Sequence, residues 1–419
     1  MPTPAESSRP STPTGQPATA RRPAALPRVV IGLGLVSLLT DVSSEAIFPL
    51  LPAFLATLGA SNAFIGLVEG SAELVASVLK YLTGLVADRR ARLKPLVLVG
   101  YGISTAVRPL VALALAPWHV LAVRVGDRIG KGIRTSPRDA LIAHATDPSI
   151  RARAYGFHRA MDHAGAAIGT LLGAGLLWWL GAGFGRPASG EQLRTVFLWA
   201  AVPGLLALVA LSLTREPARP PPPPPTPATG PKPALPPALK RALLPIALFA
   251  CANATDAFIL VKVARLGASP ILAPLLWLGL HVVKAGTATA GGRLADRYGK
   301  RNALALGWVV YALTWSAVGL AQSVPVLLAL AAAYGVTHGM VEGPEKALVA
   351  ELAAGDARGR AFGAYNMIVG LAALAASTAF GAVWDRHGSA VAFAASGALA
   401  VVAAVALVAL VPRHPLGGA

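Results

Sequence analysis

Long apolar stretches alternate with short polar loops along almost the whole chain. Each stretch is close to the ~20 residues that a helix needs to cross a bilayer. Barrel strands would alternate apolar and polar side chains over ~10 residues, and these stretches do not, so we predict helices. The predicted spans are residues 29–58, 62–87, 95–116, 118–137, 154–181, 193–213, 242–265, 270–295, 302–322, 324–352, 361–384 and 390–411. The pattern predicts an all-α membrane protein with about 12 transmembrane helices.

The composition supports a membrane protein. Only 13% of the residues are charged and the mean hydropathy is +0.60, whereas soluble domains carry about 25% charged residues. The formal net charge of +18 comes mainly from Lys and Arg in alternate short loops, which is typical of cytoplasmic loops rather than of nucleic-acid binding. A single cysteine, Cys251, excludes a disulfide framework.

The loops divide the chain into two halves of similar size. We predict a disordered cytoplasmic tail over 1–27 rather than a signal peptide, a six-helix bundle over 28–214 and a second bundle over 242–412. The proline-rich segment 215–241, with Pro220 to Pro225 in a row, is expected to be a cytoplasmic linker, and 413–419 a short cytoplasmic tail. The basic loops predict a multi-pass protein of the cell membrane with both termini in the cytoplasm.

The two halves repeat one another. Residues 132–143 match residues 339–350 at an offset of 207, and an offset of 208 pairs Gly84 with Gly292 and Asp88 with Asp296. Such matches on both sides of a central linker indicate two pseudo-symmetric bundles. Parallel repeats of this kind place a binding site at their interface near mid-membrane depth.

Two loops carry a family resemblance. The stretch from Gly292 to Arg301, GRLADRYGKR, resembles the signature between the eighth and ninth spans of the major facilitator superfamily. The stretch from Gly84 to Arg92 resembles its partner between the second and third spans, although Ala91 stands where the family has glycine. The resemblance covers about residues 28–412 and implies a twelve-helix secondary transporter with its substrate unspecified.

The same loops supply candidate gate residues. Their charges can pair with acids or helix ends and hold the two bundles together on the cytoplasmic side. The alternative is that they only set the topology. The candidates are Gly84, Asp88, Arg89, Arg92, Gly292, Asp296, Arg297, Gly299 and Lys300.

The fifth span also resembles a family motif. Residues 165–174, GAAIGTLLGA, are similar to the signature of the superfamily's antiporters, with Thr170 in place of proline and Ala174 in place of the final glycine. Small residues four apart also let helices approach closely, so plain packing is the alternative.

Ionisable residues inside the spans are the candidate functional groups, because they are costly in the membrane and usually face a cavity. Carboxyl groups in apolar surroundings can take up protons, and the proton-coupling candidates are Asp41, Glu45, Glu69, Glu73 and Asp162. The substrate-cavity candidates are Arg108, Arg124, Arg128, His158, Asp256, His281, Lys284, His338, Glu342 and Asn366. For any one of these residues, structural pairing between helices is the alternative.

The sequence lacks the motifs of several other mechanisms. It contains no phosphate-binding loop, no HExxH and no GxSxG, so we expect no cofactor, no metal site and no catalytic activity. The hypothesis is a monomeric, proton-coupled transporter that exports a small organic molecule or drug from the cell, across the inner membrane in bacteria, without nucleic acid as a partner. The alternatives are proton-coupled uptake of an anionic metabolite and, in another class, a membrane-embedded enzyme or sensor.

Overall fold

The computed structural model describes residues 25–87, 90–147, 150–183, 188–217, 235–353 and 358–412. The predicted tails and linker fall largely outside these ranges, as do Asp88 and Arg89. The described chain is helical throughout its length. The helices are α1 (Arg28–Thr57), α2 (Asn62–Ala87), α3 (Lys94–Leu113), α4 (Pro117–Ala145), α5 (Arg151–Trp179), α6 (Gly190–Leu213), α7 (Pro237–Arg265), α8 (Leu272–Tyr298), α9 (Lys300–Leu320), α10 (Val324–Leu352), α11 (Arg358–His387) and α12 (Ser389–Leu410).

Helix ends follow local sequence signals. Proline stands in the first turn of α3, α4, α7 and α10, where its missing N–H has no helical partner to lose. Gly299, with a φ of 83°, separates α8 from α9, and Gly388, with a φ of 85°, separates α11 from α12. Only glycine adopts this backbone conformation readily.

Two spans differ from the predicted bounds by more than three residues. Helix α4 continues to Ala145, beyond the predicted end at residue 137, with Pro137 inside it. Helix α7 begins at Pro237, within the range predicted as linker. Among the described residues, ten spans are long and apolar enough to cross a membrane; α4 and α8 fall short because charged and polar side chains interrupt them.

The two halves share one packing pattern. In the first half α1 packs on α5 and α6, while α4 packs on α2 and α3. In the second half α7 packs on α11 and α12, while α10 packs on α8 and α9. Between the halves, α2 packs on α11 and α8 packs on α5. The repeat relates α2 to α8 and α5 to α11, so each of these contacts is the counterpart of the other. The all-α fold with two six-helix bundles is therefore confirmed.

The outer surface is apolar and the inner surface is not. Leu313, Val405 and Leu205 are 67%, 64% and 57% exposed on α9, α12 and α6, as expected for side chains that face lipid. Charged residues of α4, namely Arg124, Asp127 and Arg134, are instead buried against neighbouring helices. The face on which α1 begins, α6 ends, α7 begins and α12 ends is called the linker face below, and the other is the opposite face.

Candidate functional site

Two helices are broken at corresponding depths. Helix α1 is interrupted between Glu45 and Leu51 by a short 3-10 turn, and α7 is interrupted between Ala252 and Ala257. At the repeat offset of 208, the turn of α1 aligns with the break in α7. Irregular backbone at membrane depth is tolerated only where it is buried in protein or lines a cavity, and broken helices mark binding sites in transporters. The polar residues around these breaks therefore form the candidate site.

A chain of ion pairs surrounds the break in α1. Arg108 Nε donates to Asp127 Oδ1 over 2.8 Å, and its Nη1 donates to the backbone oxygen of Thr40 over 3.0 Å. Arg124 donates twice to Glu69, over 3.1 Å and 2.5 Å, and lies 4.0 Å from Asp127. All four charged side chains are almost fully buried. Three predicted candidates, Glu69, Arg108 and Arg124, therefore share one compensated network.

A single carboxylate organises the second half. Asp256, at the break in α7, accepts from Lys284 Nζ through Oδ2 over 2.5 Å and from the Tyr334 hydroxyl through Oδ1 over 2.5 Å. His338 Nε2 lies 3.0 Å from that hydroxyl and 3.7 Å from Asp256. The structure thus brings three of the substrate-cavity candidates, Asp256, Lys284 and His338, into one connected group.

Aromatic rings join the two networks across the interface. The rings of Phe48 and Trp277 lie 4.8 Å apart, and the Trp277 indole N–H donates to Glu45 Oε2 over 2.8 Å. The guanidinium of Arg124 lies 5.0 Å from the Phe48 centroid, and the ammonium of Lys284 lies 5.8 Å from the Trp277 centroid. These cation–π distances complete a continuous path of contacts from one half to the other. This set of connected side chains is called the central network below.

A pocket and a histidine adjoin the central network. His281 packs edge-on against Trp277 at 4.9 Å, and its buried Nε2 has no hydrogen-bond partner among the described residues. The pocket between α1, α3 and α4 is lined by Ser44, Ile47, Phe48, Leu51, Arg108, Val111, Val123, Arg124 and Asp127. Its volume of about 20 Å³ leaves room for about one water molecule, so in this conformation the pocket is too small for an organic ligand.

A second group of carboxylates lies between α1 and α5, nearer the linker face. Asp162 accepts from the Ser37 hydroxyl, while His158 Nδ1 and Arg159 Nη1 each lie 3.7 Å from it. Asp41, half-buried on α1 one turn after Ser37, is within electrostatic range of Asp162 and Glu45. Acidic side chains therefore extend from the central network toward the linker face.

The remaining candidates occupy different surroundings. Glu73 accepts a long hydrogen bond of 3.4 Å from Ser77, and the buried Nε of Arg128 has no partner among the described residues. Glu342 is exposed and pairs with Lys346 one turn away, while Asn366 is half-buried on α11. No three His, Cys, Asp or Glu side chains gather into a possible metal site within the ranges described.

The gate candidates on the linker face are mostly exposed. Asp296 and Arg297 point away from the core, and Arg297 stacks on the neighbouring tyrosine ring at 5.3 Å. Lys300 forms an ion pair with Glu351, within the second half. Gly84 and Gly292 are half-buried, and Arg92 and Gly299 are exposed. None of the gate side chains that the structure describes forms a hydrogen bond or ion pair with the other half.

A carboxylate that the sequence analysis missed joins the halves on the opposite face. Asp385, at the end of α11, accepts the backbone N–H of Asn62 over 3.1 Å, its side-chain amide over 2.7 Å, and the N–H of Ala63 over 2.9 Å. It therefore caps the N-terminus of α2. The signal was present: residues 381–388, GAVWDRHG, repeat the Gly, Asp-Arg and Gly spacing of residues 292–299.

Trp277, Tyr334 and Phe48 were missed for another reason. Uncharged aromatic residues in an apolar span look like ordinary core residues, and nothing in their spacing distinguishes them. Only the packing of α8 and α10 against the two breaks shows that they carry contacts to Glu45 and Asp256. Trp277 and Tyr334 serve as uncharged hydrogen-bond donors, and their residue type alone does not mark them as site residues.

Comparison with known proteins identifies the family. The profile described as "Major Facilitator Superfamily" matches residues 33–288 and 257–418. An uncharacterised MFS-type transporter of Methanocaldococcus jannaschii is 31% identical over 358 residues, 84% of this chain and 87% of the relative. The multidrug resistance protein MdtH of Proteus mirabilis is 31% identical over 193 residues, covering 44% of this chain and 45% of the relative.

Solved structures share the fold. A bacterial homologue of the human lysosomal transporter Spinster, in an inward-facing and unoccupied conformation, aligns over 92% of this chain and 96% of its own with a TM-score of 0.68 at 19% identity. A D-xylose–proton symporter aligns over 92% of this chain and 97% of its own, with a TM-score of 0.70 and 18% identity. The predicted resemblance is confirmed, and the chain belongs to the major facilitator superfamily.

Proposed function

We propose that this chain is a proton-coupled secondary transporter that exports a small organic molecule by alternating access. The observation that carries the proposal is the central network, which crosses from one bundle to the other at the two helix breaks. Membership of a transporter family and the absence of a soluble domain in the described ranges argue against an enzyme or a sensor. The partial similarity to a multidrug resistance protein supports export of organic compounds.

Glu45 is the proposed point of proton coupling. Its carboxylate accepts the indole N–H of Trp277 from the other half, and a hydrogen bond to an ionised acceptor is about twice as strong as one to a neutral acceptor. A proton on Glu45 therefore weakens the tie between the halves at this depth. Asp41 and Asp162 supply a route for the proton to the linker face, because they continue the line of carboxylates in that direction.

Asp385 is the proposed lock of the opposite face. It ties the end of α11 to the start of α2, and the Ser269 hydroxyl joins the same face by donating to the Gly183 oxygen over 3.2 Å. Asp296, which has the same place in a matching sequence on the linker face, is exposed. The cycle we propose breaks the Asp385 contacts and closes the linker face through the residues around Asp88 and Asp296.

The glycine pattern of α5 has a packing role, so the pattern by itself is not evidence for antiport. A Cβ on Gly165 would collide with the backbone oxygen of Leu38, and one on Gly169 would come within 2.6 Å of the Val42 oxygen. These glycines therefore permit the close approach of α1 and α5. Antiport is proposed from the carboxylates and the multidrug relative, with the motif as a resemblance only.

The topology completes the proposal. The basic loops of the linker face support an orientation in which that face and both termini lie on the cytoplasmic side of the cell membrane. Fusion of a reporter enzyme active only in the periplasm to the C-terminus, for expression in a bacterial host, tests this placement. The fusion is expected to be inactive, and an active fusion would reverse the assigned orientation.

Transport in proteoliposomes tests the function. Purified protein is reconstituted with cationic, neutral and anionic fluorescent organic dyes, and dye movement is followed under an imposed pH gradient. Wild type is expected to move at least one dye against its gradient, and Glu45→Gln is expected to lose the dependence on pH. Glu191→Gln, at the exposed first turn of α6, serves as the matched control. Dye movement that is identical with and without the pH gradient would refute proton coupling.

A further inference from the structure

Three cations lie together between α2 and α4, beside the central network. Arg128 and Lys131 are three residues apart and share one face of α4, while Glu73 and Lys80 share one face of α2 at a spacing of seven. The two helices are held in register by the Thr83 hydroxyl, which donates to the Gly132 oxygen over 2.9 Å, and by Ser136, which donates to the Lys80 oxygen over 2.8 Å. Lys80, Arg128 and Lys131 are called the basic cluster below.

The basic cluster has no carboxylate partner among the described residues, unlike Arg108, Arg124 and Arg138. Arg108 and Arg124 bind carboxylates, and Arg138 pairs with Asp139. Among the described residues, no carboxylate oxygen lies within 4.0 Å of a cationic nitrogen of the basic cluster, and the Nε of Arg128 is buried without any hydrogen-bond partner. Unpaired cations at membrane depth are costly unless water or a ligand reaches them.

Few acids lie near these three cations. Asp127 and Glu69 act on Arg128, but they already pair with Arg108 and Arg124. Glu73 is within electrostatic range of Lys80, Arg128 and Lys131, and its side chain is exposed to open space rather than buried. Lys346 of α10 adds further positive charge on the side of Lys80, and Asp41 acts on Lys131 from α1. Counting the basic cluster and Glu73 alone, three positive charges and one negative leave a net charge of +2.

We infer that the basic cluster binds the anionic group, carboxylate or phosphate, of the transported molecule. This inference rests on the proposed function and gives its substrate a chemical class. The planar guanidinium of Arg128 presents a fixed fork of donors to such a group, and the two lysines add mobile point charges. When the site is empty, the Glu73 carboxylate is attracted to these cations. An incoming anion therefore competes with Glu73 for them.

Anion binding to the purified protein tests the site without transport. The probes are inorganic phosphate and benzoate, titrated at constant ionic strength against chloride into protein held in nanodiscs of neutral phosphatidylcholine. Binding is measured by the shift of the thermal unfolding midpoint. Wild type is expected to show a saturable shift with at least one probe. Arg128→Gln and Lys131→Gln are each expected to raise the apparent Kd by about tenfold or more, since each removes a charge-assisted hydrogen bond to the anion.

Three further variants separate an anion site from a structural role. Arg128→Lys keeps the charge without the fork and is expected to lose less affinity than Arg128→Gln. Glu73→Gln removes the competing carboxylate and is expected to bind the anion more tightly than wild type. Lys262→Gln is the matched control, because Lys262 is a buried lysine whose ammonium is already bound to the Gly319 oxygen and Ser389.

Several outcomes would overturn the inference. They are no saturable shift in wild type, an unchanged Kd in Arg128→Gln, or weaker binding in Glu73→Gln. If phosphatidylglycerol in the nanodiscs abolishes the shift by competition, the occupant is a lipid headgroup and the assignment to substrate is wrong. Anion binding without any transport would contradict the proposed function and not the site, whereas transport with an anion affinity insensitive to Arg128 would contradict this inference alone.

Discussion

The two halves solve the same electrostatic problem in different ways. In the first half, Asp127 lies beside both Arg108 and Arg124, and Arg124 also pairs with Glu69, so two ion pairs are linked into one chain. In the second half, Asp256 alone holds Lys284 and Tyr334. The first half thus distributes its charges, and the second concentrates them at one carboxylate.

The repeat explains why the halves had to diverge. At an offset of 208, Phe48 corresponds to Asp256 and Glu69 to Trp277. The symmetry mate of the aromatic contact between Phe48 and Trp277 would therefore join Asp256 to Glu69, two carboxylates that repel. Each is instead neutralised within its own half, by Lys284 or by Arg124. The broken backbone is common to both halves, and the side-chain chemistry is complementary.

The largest effect is expected at Asp256. Asp256→Ala leaves Lys284 without its carboxylate and Tyr334 without its acceptor. The free energy of unfolding should therefore fall by about 3–5 kcal/mol. The double variant with Lys284→Met removes both charges and should recover more than half of that loss. Detergent-induced unfolding followed by tryptophan fluorescence measures both values. A cost below about 1 kcal/mol for the single variant would show that the second half does not depend on this carboxylate.

A smaller effect is expected from the matched loss in the first half. Arg124→Gln should cost about 2 kcal/mol, because the Glu69 carboxylate loses two charge-assisted bonds but Asp127 keeps Arg108. The same unfolding assay compares it with Asp256→Ala. If the two substitutions cost the same, the contrast between shared and concentrated charges is wrong.

Loss of the hydrogen bond from Trp277 to Glu45, which joins the two halves, should cost less stability still. Trp277→Phe keeps the ring beside Phe48 but removes the donor to Glu45, with an expected cost of about 1.5 kcal/mol. It should also make dye transport less dependent on the pH gradient. Trp199→Phe, at an exposed tryptophan of α6, is the control. A Trp277→Phe protein with wild-type coupling would place the proton site elsewhere than Glu45.

The smallest energetic effect concerns the opposite face. Asp385→Ala removes the cap of α2, a loss of about 1 kcal/mol, which shifts the population open to that face by about fivefold. Spin labels at Ser61 and His387, in a Cys251→Ser background, report the separation of α2 and α11 by electron–electron resonance. Arg386→Gln serves as the neighbouring control. Identical distance distributions in the two variants would mean that Asp385 is no lock.

Much of the fold could be predicted from the sequence, and less of the site. Apolar length, basic loops and the repeat depend on composition and spacing, which the chain displays directly. The breaks at Phe48 and Asp256 could not be predicted, since they depend on contacts between helices far apart in sequence. Trp277 gave no sequence signal because it resembles a lipid-facing or core aromatic residue. Asp385 did carry a signal, the repeated Gly, Asp-Arg and Gly spacing, on the face where no gate was expected.

The pairing of predicted charges shows the same limit. The sequence placed Glu69 and Glu73 in the second span and Arg124 and Arg128 in the fourth, but their partners depend on the rotation of α2 against α4. The structure pairs Arg124 with Glu69 and leaves Arg128 unpaired near Glu73. Spacing alone gives Arg124 and Arg128 the same helical face, so it could not separate a structural arginine from a candidate binding arginine.

Water accessibility along α8 tests most directly whether the embedded charges line an aqueous passage between the halves. In a Cys251→Ser background, Ala288→Cys lies one turn beyond Lys284 on an exposed stripe of α8, and Val405→Cys lies on the apolar surface of α12. A membrane-impermeant thiosulfonate is applied to the protein in proteoliposomes. The account predicts rapid modification at 288 from the linker face and none at 405. Equal protection of both cysteines would mean that α8 faces lipid there and that no passage exists.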